Sequence, residues 1–396
     1  MHIQLQHSFF SPIRSGQERR VHALVKELLS RGHRVSILVS KDGIDSVERY
    51  QKQGIDCIVH PTFFSDGWRA LFNPYLYTRR LKTFLAPVYS RDRPDLVLSF
   101  NIFYVAATKR VCPELPVGYL TGGTIRDWHS QLYRDRPWFK RPLLRMMTGL
   151  AQRIESEALT KAEAVFVEVT ATQRRLEEDN PKAVGVRYIN WPTPVDKDRF
   201  KPNSVWRREI RKELGVTDNQ VLLLCVGRFQ WNKNFGLVIK ALGKIGSRDF
   251  QLVLVGEGPE RRTFQELAAS QGLSDKVKFV GSRQDVERVY AAADIFLHPA
   301  LVEVFGNVVQ EAMASGLACI ASPGKYVGFS EYLTDGVDAF LADPHDLLAW
   351  IEKLEQLMND KELRRRLGSS ARGLIEARPD LAQLTDVILR ELDHAR

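Results

Sequence analysis

The feature of this sequence that most limits its fold is a repeated alternation of short apolar runs with amphipathic stretches. The apolar runs are rich in β-branched residues and only a few residues long, which is typical of buried strands. The stretches between them have a helical period. In residues 17–31, Val21, Leu24, Val25 and Leu28 fall on one face. This order predicts an α/β fold in which helices cover a largely parallel sheet.

The same pattern predicts the individual elements. In the first half of the chain we expect strands at IQLQHSF, RVSILVS, DLVLSF, PVGYLTG and AVFVEVT. In the second half we expect strands at QVLLLCVGR, FQLVLVGEG, VKFVGS, DIFLHPA, LACIAS and AFLAD. Helical periodicity also covers residues 236–244, 260–271, 285–292 and 345–358.

The length of the chain predicts two domains, because 396 residues are more than one hydrophobic core usually takes. Residues 190–203 contain three prolines and neither period, as expected of a linker. We therefore predict one doubly wound, Rossmann-like domain at 1–192 and another at 197–377. The last segment, 378–396, is predicted to be a helix that packs back on the first domain.

The composition of the chain predicts its cellular location and the kind of partner it binds. No apolar run reaches 18 residues, so no membrane-spanning helix is expected, and MHIQLQHSFFSP is typical of a first strand rather than a signal peptide. The four cysteines are scattered, which favours reduced thiols and a cytoplasmic location. The net charge of +9 favours an acidic partner, such as a phosphorylated substrate, an anionic membrane surface or nucleic acid.

The motif EVFGNVVQE, residues 303–311, combines a helix start with two acids. Asn307 is a good N-cap residue, Gln310 completes a capping-box pattern, and Gly316 would end the helix. Free N–H groups beside Gly306–Val309 would then favour an anion, most simply a phosphate.

Glu303 and Glu311 flank that predicted phosphate position. A carboxylate is a poor phosphate ligand but a good acceptor for sugar hydroxyls. The motif therefore predicts a diphosphate with a sugar on each side, which is a nucleotide sugar. The alternative is an ordinary amphipathic helix with two solvated acids.

Loops at the predicted carboxyl ends of strands supply further candidates. Arg228 and Lys233 follow an apolar strand, where doubly wound sheets bind ligands, and could neutralise a diphosphate leaving group. Their alternative role is that of ordinary surface cations. VGEGPE has Gly256 and Gly258 but no third glycine, so it fits a phosphate-side or packing turn rather than a dinucleotide fingerprint. Gly16 lies in a loop before a predicted helix.

These segments resemble the second domain of the retaining glycosyltransferases of family 4, which have the GT-B fold. In that fold two Rossmann-like domains face each other across a cleft. The resemblance is carried by VGRFQWNKN, VGEGPE, VKFVGS, AAADIFLHPALVEVFGNVVQEAMASG and DGVDAFL. The first domain matches through the Gly16 loop, KELLSRGHRVSILV and NWPTPVDKDRF.

The resemblance implies a role for each donor-site candidate. Arg228 and Lys233 would bind the donor pyrophosphate and assist departure of the leaving group. Glu303 would hold hydroxyls of the donor sugar, and Glu311 would hold the ribose. The distal phosphate would meet the backbone of Gly306, Asn307 and Val308, together with Gly16 from the other domain.

The resemblance also implies a hexosyltransferase-type enzyme with a nucleotide diphosphate sugar, most simply a UDP-sugar, as its donor. The acceptor would be a hydroxyl of an envelope glycan, such as a lipopolysaccharide core or a lipid-linked oligosaccharide. Many relatives have a histidine or aspartate near the reacting centre, where this chain has Gly122 and Gly123. Thr121, Thr124, Asp127 and His129 are the candidates for an acceptor-side substitute.

We expect no metal cofactor. Asp196 and Asp198 form a DxD pattern, but it lies in the linker and is typical of turn and capping chemistry. The cations Arg228 and Lys233 and a helix start could take the place of a metal ion.

Two segments of the first domain, 137–154 and 68–82, combine apolar or aromatic residues with basic ones. Each could pack on the core or lie against an anionic membrane surface.

Three other functions are compatible with parts of the pattern. A sugar-nucleotide epimerase could share the two-domain fold, but it would need groups poised for proton transfer at the sugar. A non-catalytic partner could keep the donor site without the chemistry, which the Gly122–Gly123 departure leaves open. A nucleic-acid binder is favoured by net charge alone, and no RNP-like, zinc-finger or helix-turn-helix pattern accompanies it, so no nucleic-acid partner is expected.

Overall fold

The computed structural model describes residues 1–7, 16–41, 47–61, 74–127, 141–246 and 249–393. The chain divides into two compact units. Unit 1 comprises Met1–Thr193 together with Leu381–Arg396, and unit 2 comprises Pro194–Asp380.

Unit 1 contains an eight-stranded sheet in the order β3-β4-β2-β1-β5-β6-β7-β8. All its strand pairs are parallel except β3 with β4, which is antiparallel. Its strands are β1 (His2–His7), β2 (Arg34–Lys41), β3 (Glu48–Lys52), β4 (Ile55–Pro61), β5 (Leu96–Ser99), β6 (Val117–Thr121), β7 (Ala164–Val167) and β8 (Tyr188–Asn190).

The helices of unit 1 bury one apolar face each against this sheet or a neighbouring helix. In the first of them, Val21, Leu24, Val25 and Leu28 are fully or almost fully buried, as the sequence pattern predicts. The helices are α1 (Gly16–Ser30), α2 (Pro74–Arg91), α3 (Ile102–Val111), α4 (Arg141–Lys161), α5 (Thr170–Asp179) and α13 (Leu381–Asp393). The last is numbered α13 because the helices of unit 2 come before it along the chain.

Helix α13 belongs to unit 1 because its apolar face completes that core. Leu384, Ile388 and Leu392 are buried with the residues of β1 and α1. The indole Nε1 of the fully buried Trp191 donates to the carbonyl of Leu384 at 2.8 Å. This buried polar contact fixes the position of the helix start.

Unit 2 contains a six-stranded sheet in the order β11-β10-β9-β12-β13-β14, in which every strand pair is parallel. Its strands are β9 (Val221–Val226), β10 (Phe250–Val255), β11 (Val277–Gly281), β12 (Ile295–His298), β13 (Ala318–Ala321) and β14 (Phe340–Leu341). Strands β10, β12 and β13 are buried along their whole length, and β9 is buried except at its two end residues, as expected for a parallel sheet covered on both faces.

The helices of unit 2 are α6 (Ser204–Glu213), α7 (Phe235–Ile245), α8 (Arg261–Ser270), α9 (Val286–Ala292), α10 (Asn307–Ala314), α11 (Leu347–Asn359) and α12 (Lys361–Ala377). Several begin at a side-chain cap. The Asn203 carboxamide oxygen accepts from the amides of Val205 and Trp206, and Asp346 accepts from the amide of Ala349. Within the described ranges no helix combines the length and the apolar character that crossing a membrane requires.

The predicted α/β class is confirmed, and the six strands predicted in the second half are all present. The sequence pattern missed β3, β4 and β8. Strand β3 has the sequence ERYQK and is mostly exposed, so it lacks both an apolar run and a clear alternation. Strand β8 is three residues long, which is too short to show a period.

Candidate active site

The order of strands in unit 2 identifies one edge of its sheet as the place for a ligand. From β9 the chain builds β10 and β11 on one side, and then returns to place β12 directly on the other side of β9. The crevice between the carboxyl ends of β9 and β12 is therefore a topological switch point, where open α/β sheets bind their ligands. The loops that follow these two strands carry Arg228, Lys233 and Glu303.

The loop after β9 presents Arg228 to solvent by burying the residue that follows it. Phe229 is completely buried and packs edge-on against Phe235 and Phe264, with ring centroids 6.1 and 5.9 Å apart. Arg228 itself is exposed, and its guanidinium forms no ion pair with any residue that the structure describes. A fixed, uncompensated cation at a strand end is suited to bind an anion.

The two glycines of VGEGPE allow the loops after β9 and β10 to touch through their main chains. A Cβ atom on Gly256 would lie 2.0 Å from the carbonyl oxygen of Gly227, and one on Gly258 would lie 2.3 Å from that of Phe229. The amide of Phe229 also donates to the carbonyl of Glu257 at 2.9 Å. Of the two roles that the sequence allowed for this turn, the geometry supports the packing one.

Lys233 is brought to the second loop by contacts of the preceding residue. It ends a 3₁₀ turn at Trp231–Lys233. The amide of Leu301 donates to the Asn232 carbonyl at 2.8 Å, and the Asn232 side chain donates to the Val302 carbonyl at 3.2 Å. The Lys233 ammonium then forms an ion pair with Glu303 Oε2, in which both side chains are largely buried.

The main chain of Glu303 is fixed by its neighbours in residues 323–332. Its amide donates to the Tyr326 carbonyl at 2.8 Å, and its carbonyl accepts from the amide of Gly328 at 3.2 Å. Phe305 is buried against Phe329, with ring centroids 5.5 Å apart. The carboxylate is thus carried by a rigid extended segment rather than by a loose loop.

The start of helix α10 differs from the prediction. The predicted N-cap at Asn307 is wrong, because the helix begins at Asn307 and its N-cap is Gly306. Gly306 has φ of 98°, and a Cβ atom there would lie 2.7 Å from Val327 Cγ1, so only glycine fits. No side chain caps the helix, and the predicted capping box with Gln310 does not form.

This uncapped start has a chemical consequence. The first backbone amides of a helix have no partner within it, and here the N-cap glycine has no side chain to accept from them. The buried Asn307 Oδ1 atom also lacks a hydrogen-bond partner among the described residues. The N-terminus of α10, at Asn307 and Val308, therefore offers donors and a positive dipole end to an anion. At the other end Gly316 has φ of 77° and closes the helix as predicted.

Glu311 lies one turn into α10, and a buried tyrosine orients its carboxylate. The Tyr290 hydroxyl donates to Glu311 Oε2 at 3.0 Å and lies 3.3 Å from the carbonyl oxygen of Val308. The Tyr290 ring is completely buried and packs against Phe296, with centroids 5.7 Å apart. Sequence reasoning missed Tyr290, because it precedes Glu311 by 21 positions and only the fold brings them together.

Sequence reasoning also missed His298, the last residue of β12. It is fully buried, and its Nε2 lies 3.8 Å from Glu303 Oε2. Burial, reinforced by the nearby Lys233 ammonium, holds the pKa of His298 well below its ordinary value, so the ring is neutral. The sequence does contain a feature that could have identified His298: it is a polar residue that ends an apolar strand at the ligand-binding edge of the sheet.

The acceptor-side candidates in unit 1 make hydrogen bonds within their own loop and to helix α5. The Thr121 hydroxyl donates to the Gly123 carbonyl at 2.7 Å. Thr124 and Asp127 cap a helical turn reciprocally, since the Thr124 amide lies 3.3 Å from Asp127 Oδ2 and the Asp127 amide 3.1 Å from Thr124 Oγ1. The geometry gives these residues a structural role. His129 lies outside the described residues.

Gly16 is the first residue of α1, at the edge of the sheet where β1 ends. The loop that precedes it, residues 8–15, lies outside the described residues, so the predicted contact of Gly16 with a phosphate stays a prediction.

Comparison with known proteins assigns the chain to a family. The model of the "glycosyl transferases group 1" family matches residues 207–374, and that of the "glycosyl transferase 4-like domain" matches residues 15–190. The chain is a family 4 glycosyltransferase. Each of the two units of this glycosyltransferase is therefore covered by its own family model.

Characterised relatives share part of their length with this glycosyltransferase. N-acetyl-alpha-D-glucosaminyl L-malate synthase of Bacillus anthracis is 32% identical over 165 residues, 41% of this chain and 43% of the relative. The lipopolysaccharide core biosynthesis glycosyltransferase LpsE of Rhizobium meliloti is 27% identical over 203 residues, 47% of this chain and 58% of the relative. The chain thus spans about half the length of the curated relatives it matches.

Solved structures confirm the GT-B fold. Sucrose-phosphate synthase of Thermosynechococcus elongatus superposes with a TM-score of 0.79 at 20% identity, and 100% of each chain is covered. HepE of Anabaena, determined in complex with UDP and glucose, superposes with a TM-score of 0.73 at 19% identity, again over 100% of each chain.

The DxD pattern of this glycosyltransferase makes hydrogen bonds to its own main chain. Asp196 Oδ1 accepts from the amides of Asp198 and Arg199, at 3.2 and 2.9 Å, which is the turn and capping role that the sequence predicts.

The two segments that combine basic with apolar residues, 137–154 and 68–82, differ in how exposed their apolar side chains are. Within helix α4, Met147 and Ile154 face the core and Leu150 is half-buried, whereas Met146, another residue of the 137–154 apolar stripe, is 59% exposed. The described part of the 68–82 segment begins helix α2, where Tyr75 and Leu76 are exposed. A groove of about 540 Å³ beside them is lined by Tyr75, Arg79, Lys82, Thr83, Ala86 and Arg110.

Proposed function

We propose that this glycosyltransferase transfers a sugar from a nucleoside diphosphate donor to an acceptor hydroxyl, with retention of anomeric configuration. One observation carries the proposal. Arg228, Lys233, Glu303 and the uncapped start of α10 converge at the switch point between β9 and β12. This combination supplies cations for a diphosphate and a carboxylate for sugar hydroxyls at one place.

The donor would be held by its diphosphate. Arg228 and Lys233 bind the phosphate oxygens, and the amides of Asn307 and Val308 at the start of α10 bind the distal phosphate. These groups stabilise the negative charge that grows on the diphosphate as it departs, which is the main electrostatic requirement of the reaction.

The two acids would hold the groups on either side of the diphosphate. Glu303 accepts hydrogen bonds from hydroxyls of the transferred sugar, and Glu311, oriented by Tyr290, accepts from the ribose. In the transfer step the bond between the anomeric carbon and the phosphate oxygen breaks, and the acceptor oxygen bonds to that carbon on the same face. The proton of the acceptor hydroxyl passes to the departing phosphate oxygen.

The comparisons support finer choices of substrate. HepE, which has the same fold, was determined with UDP and glucose, and this favours a UDP-sugar of the hexose type as donor. LpsE is named for lipopolysaccharide core biosynthesis, which favours an envelope glycan such as a lipopolysaccharide core or a lipid-linked oligosaccharide as acceptor.

A cytoplasmic location, with part of unit 1 held against an anionic membrane surface, belongs to the same proposal. Arg79, Arg80 and Lys82 are exposed on α2 next to the exposed Tyr75 and Leu76. Basic residues interleaved with exposed aromatic and aliphatic ones suit a membrane interface with acidic headgroups. Such a surface would bring the enzyme to a lipid-linked acceptor.

We further propose that transfer needs no metal ion, because Arg228, Lys233 and the start of α10 supply positive charge to the diphosphate. The expected result is that EDTA leaves the rate unchanged. Loss of transfer with EDTA and its recovery with a divalent cation would contradict this part of the proposal.

The direct test is incubation with a panel of nucleotide sugars and envelope glycan acceptors, followed by mass spectrometry of the products. The expected product is an acceptor that is heavier by one hexose, with release of nucleoside diphosphate, and NMR of its anomeric proton reports retention. A donor whose sugar has changed its configuration, with no sugar transferred to an acceptor, would indicate an epimerase. Donor binding without turnover of any acceptor or water would indicate a non-catalytic binding protein.

A further inference from the structure

His298 is held in one orientation at the end of β12. Its carbonyl oxygen accepts from the amide of Ser322 at 3.1 Å, which ties the main chain to the neighbouring strand. Its ring lies nearly parallel to that of Phe296, at an interplanar angle of 13°. The side chain has no solvent exposure.

This rigid ring has two unsatisfied nitrogens. Neither Nδ1 nor Nε2 of His298 makes a hydrogen bond to any residue in the described part of the chain. Leaving a buried polar atom unpaired is costly, and buried polar groups in native proteins almost always have a partner. An apolar ring would fill this space equally well and would leave no buried polar atom unpaired.

The nearest charged partner is the carboxylate of Glu303. His298 Nε2 lies 3.8 Å from Glu303 Oε2, the same oxygen that the Lys233 ammonium contacts. Glu303 Oε1 accepts no hydrogen bond from the residues that the structure describes, so it is the oxygen left for a sugar hydroxyl. Lys233 and His298 therefore converge on the oxygen that does not face the ligand.

Lys233 has a competing partner in the reaction. If the proposed function is correct, the donor diphosphate draws the Lys233 ammonium toward its oxygens, since two phosphates carry more negative charge than one carboxylate. Glu303 Oε2 then loses part of its contact with Lys233. The neutral imidazole cannot follow the phosphate, because its side chain is completely buried beside Phe296.

We infer that His298 is the positioning residue for Glu303: its Nε2–H donates to Oε2 when the donor engages Lys233, and so keeps Oε1 aimed at the sugar. This inference rests on the proposed function. A neutral imidazole has a single N–H, and the carboxylate fixes it on Nε2. The contact holds the acid without adding a positive charge that would compete with the diphosphate.

The experiment compares two replacements of His298 with a matched control. His298→Gln keeps an N–H donor near the position of Nε2, whereas His298→Leu has similar volume and no donor. Ser322→Ala is the control, because Ser322 contacts only the main chain of His298. UDP and UDP-glucose are the binding probes in calorimetry, and the turnover readout is UDP release from UDP-glucose or the sugar nucleotide that the wild type uses.

We expect His298→Leu to lower kcat about tenfold, as expected for the loss of one hydrogen bond to a charged group, and to weaken binding of UDP-glucose relative to UDP. Affinity for UDP alone should not change. His298→Gln should retain kcat within about threefold of wild type, and Ser322→Ala should match the wild type.

Three results would overturn the inference. One is wild-type kcat in His298→Leu. Another is an equal loss in the Gln and Leu variants, with UDP affinity falling in parallel, which indicates packing alone. The third is independent of activity: ¹⁵N NMR of the ring showing the proton on Nδ1. By contrast, a wild-type protein that binds no nucleoside diphosphate would refute the proposed function itself.

Discussion

The loops that follow β9 and β12 in unit 2 and the loop that follows β6 in unit 1 use their polar side chains in different ways. In unit 2, Arg228 has no ion-pair partner in the described ranges, and the buried polar atoms of His298 and Asn307 Oδ1 are unpaired. In unit 1, the polar groups of Thr124 and Asp127 are paired with each other and with Asp179 and Arg175.

This difference indicates where each unit gives up stability. An unpaired buried polar group costs free energy in the folded protein, and the cost is recovered only when a ligand supplies the missing partner. A paired group stabilises the fold and has little left to offer a substrate. We therefore expect substitutions of the residues at the β9–β12 switch point of unit 2 to affect activity, and those in the 121–127 loop of unit 1 to affect stability.

The largest effect is expected for the two cations. Arg228→Ala and Lys233→Ala should each slow sugar transfer by a factor on the order of 100 or more, because each removes a charge that stabilises the departing diphosphate. Initial rates at saturating donor measure the effect. Arg262→Ala, an exposed cation on α8 of the same unit, is the control and should match the wild type. Wild-type turnover without Arg228 or Lys233 would remove their pyrophosphate role.

The two acids of the site should differ in which kinetic constant they change. Glu303→Gln should lower kcat about tenfold and weaken discrimination among donor sugars, because it contacts the group whose bonds change. Glu311→Gln should mainly raise KM for the donor and weaken binding of the free nucleotide, since the ribose is held equally in ground and transition states.

Calorimetry with UDP alone decides between these roles. If Glu303→Gln loses UDP affinity and Glu311→Gln keeps it, the two assignments are reversed.

One contribution to the pH dependence of stability should come from Glu155 in unit 1. Glu155 is fully buried, accepts from the amide of Ile125 and from Asn180, and has Asp179 and Asp127 nearby. Burial, reinforced by these two acids, raises the pKa of Glu155 to about 7. The folded protein thus holds a proton that the unfolded chain releases near pH 4.5, so this contribution to stability is lost as the pH rises through about 7.

Thermal unfolding measured from pH 5 to pH 8 tests this expectation. The Tm of the wild type should fall by several degrees over that range, and Glu155→Gln should flatten the slope, because glutamine does not titrate. An unchanged slope in Glu155→Gln would assign the pH dependence to other groups.

The smallest effect is expected in the 121–127 loop. Thr124→Val removes a helix cap and should lower the stability by about 1 kcal/mol, or roughly 2–4 °C in Tm for a protein of this size. The kcat should stay within about twofold of wild type. Arg126→Ala removes only an exposed ion pair with Asp179 and is the matched control for stability. A tenfold loss of kcat with unchanged Tm would make Thr124 part of the acceptor site.

The sequence was sufficient for those features that depend on local periodicity and on strand-end chemistry. Apolar runs with amphipathic stretches between them predict the α/β fold, and the six strands of unit 2 are visible because each is short and mainly apolar. The motif at 303–311 also predicts a helix that starts between two acids and ends at Gly316. These properties require only residues that are close along the chain.

The features that the sequence did not determine depend on contacts between distant residues. The N-cap position 306 requires glycine because Val327, which is distant along the chain, closes the space that any side chain would need. Tyr290 reaches Glu311 only because helices α9 and α10 lie beside each other, although the two residues are 21 positions apart. In unit 1 the same kind of contact pairs Thr124 with Asp179, 55 positions away. Local pattern determines which residues can form an element, and tertiary packing decides which polar groups remain unpaired for a ligand.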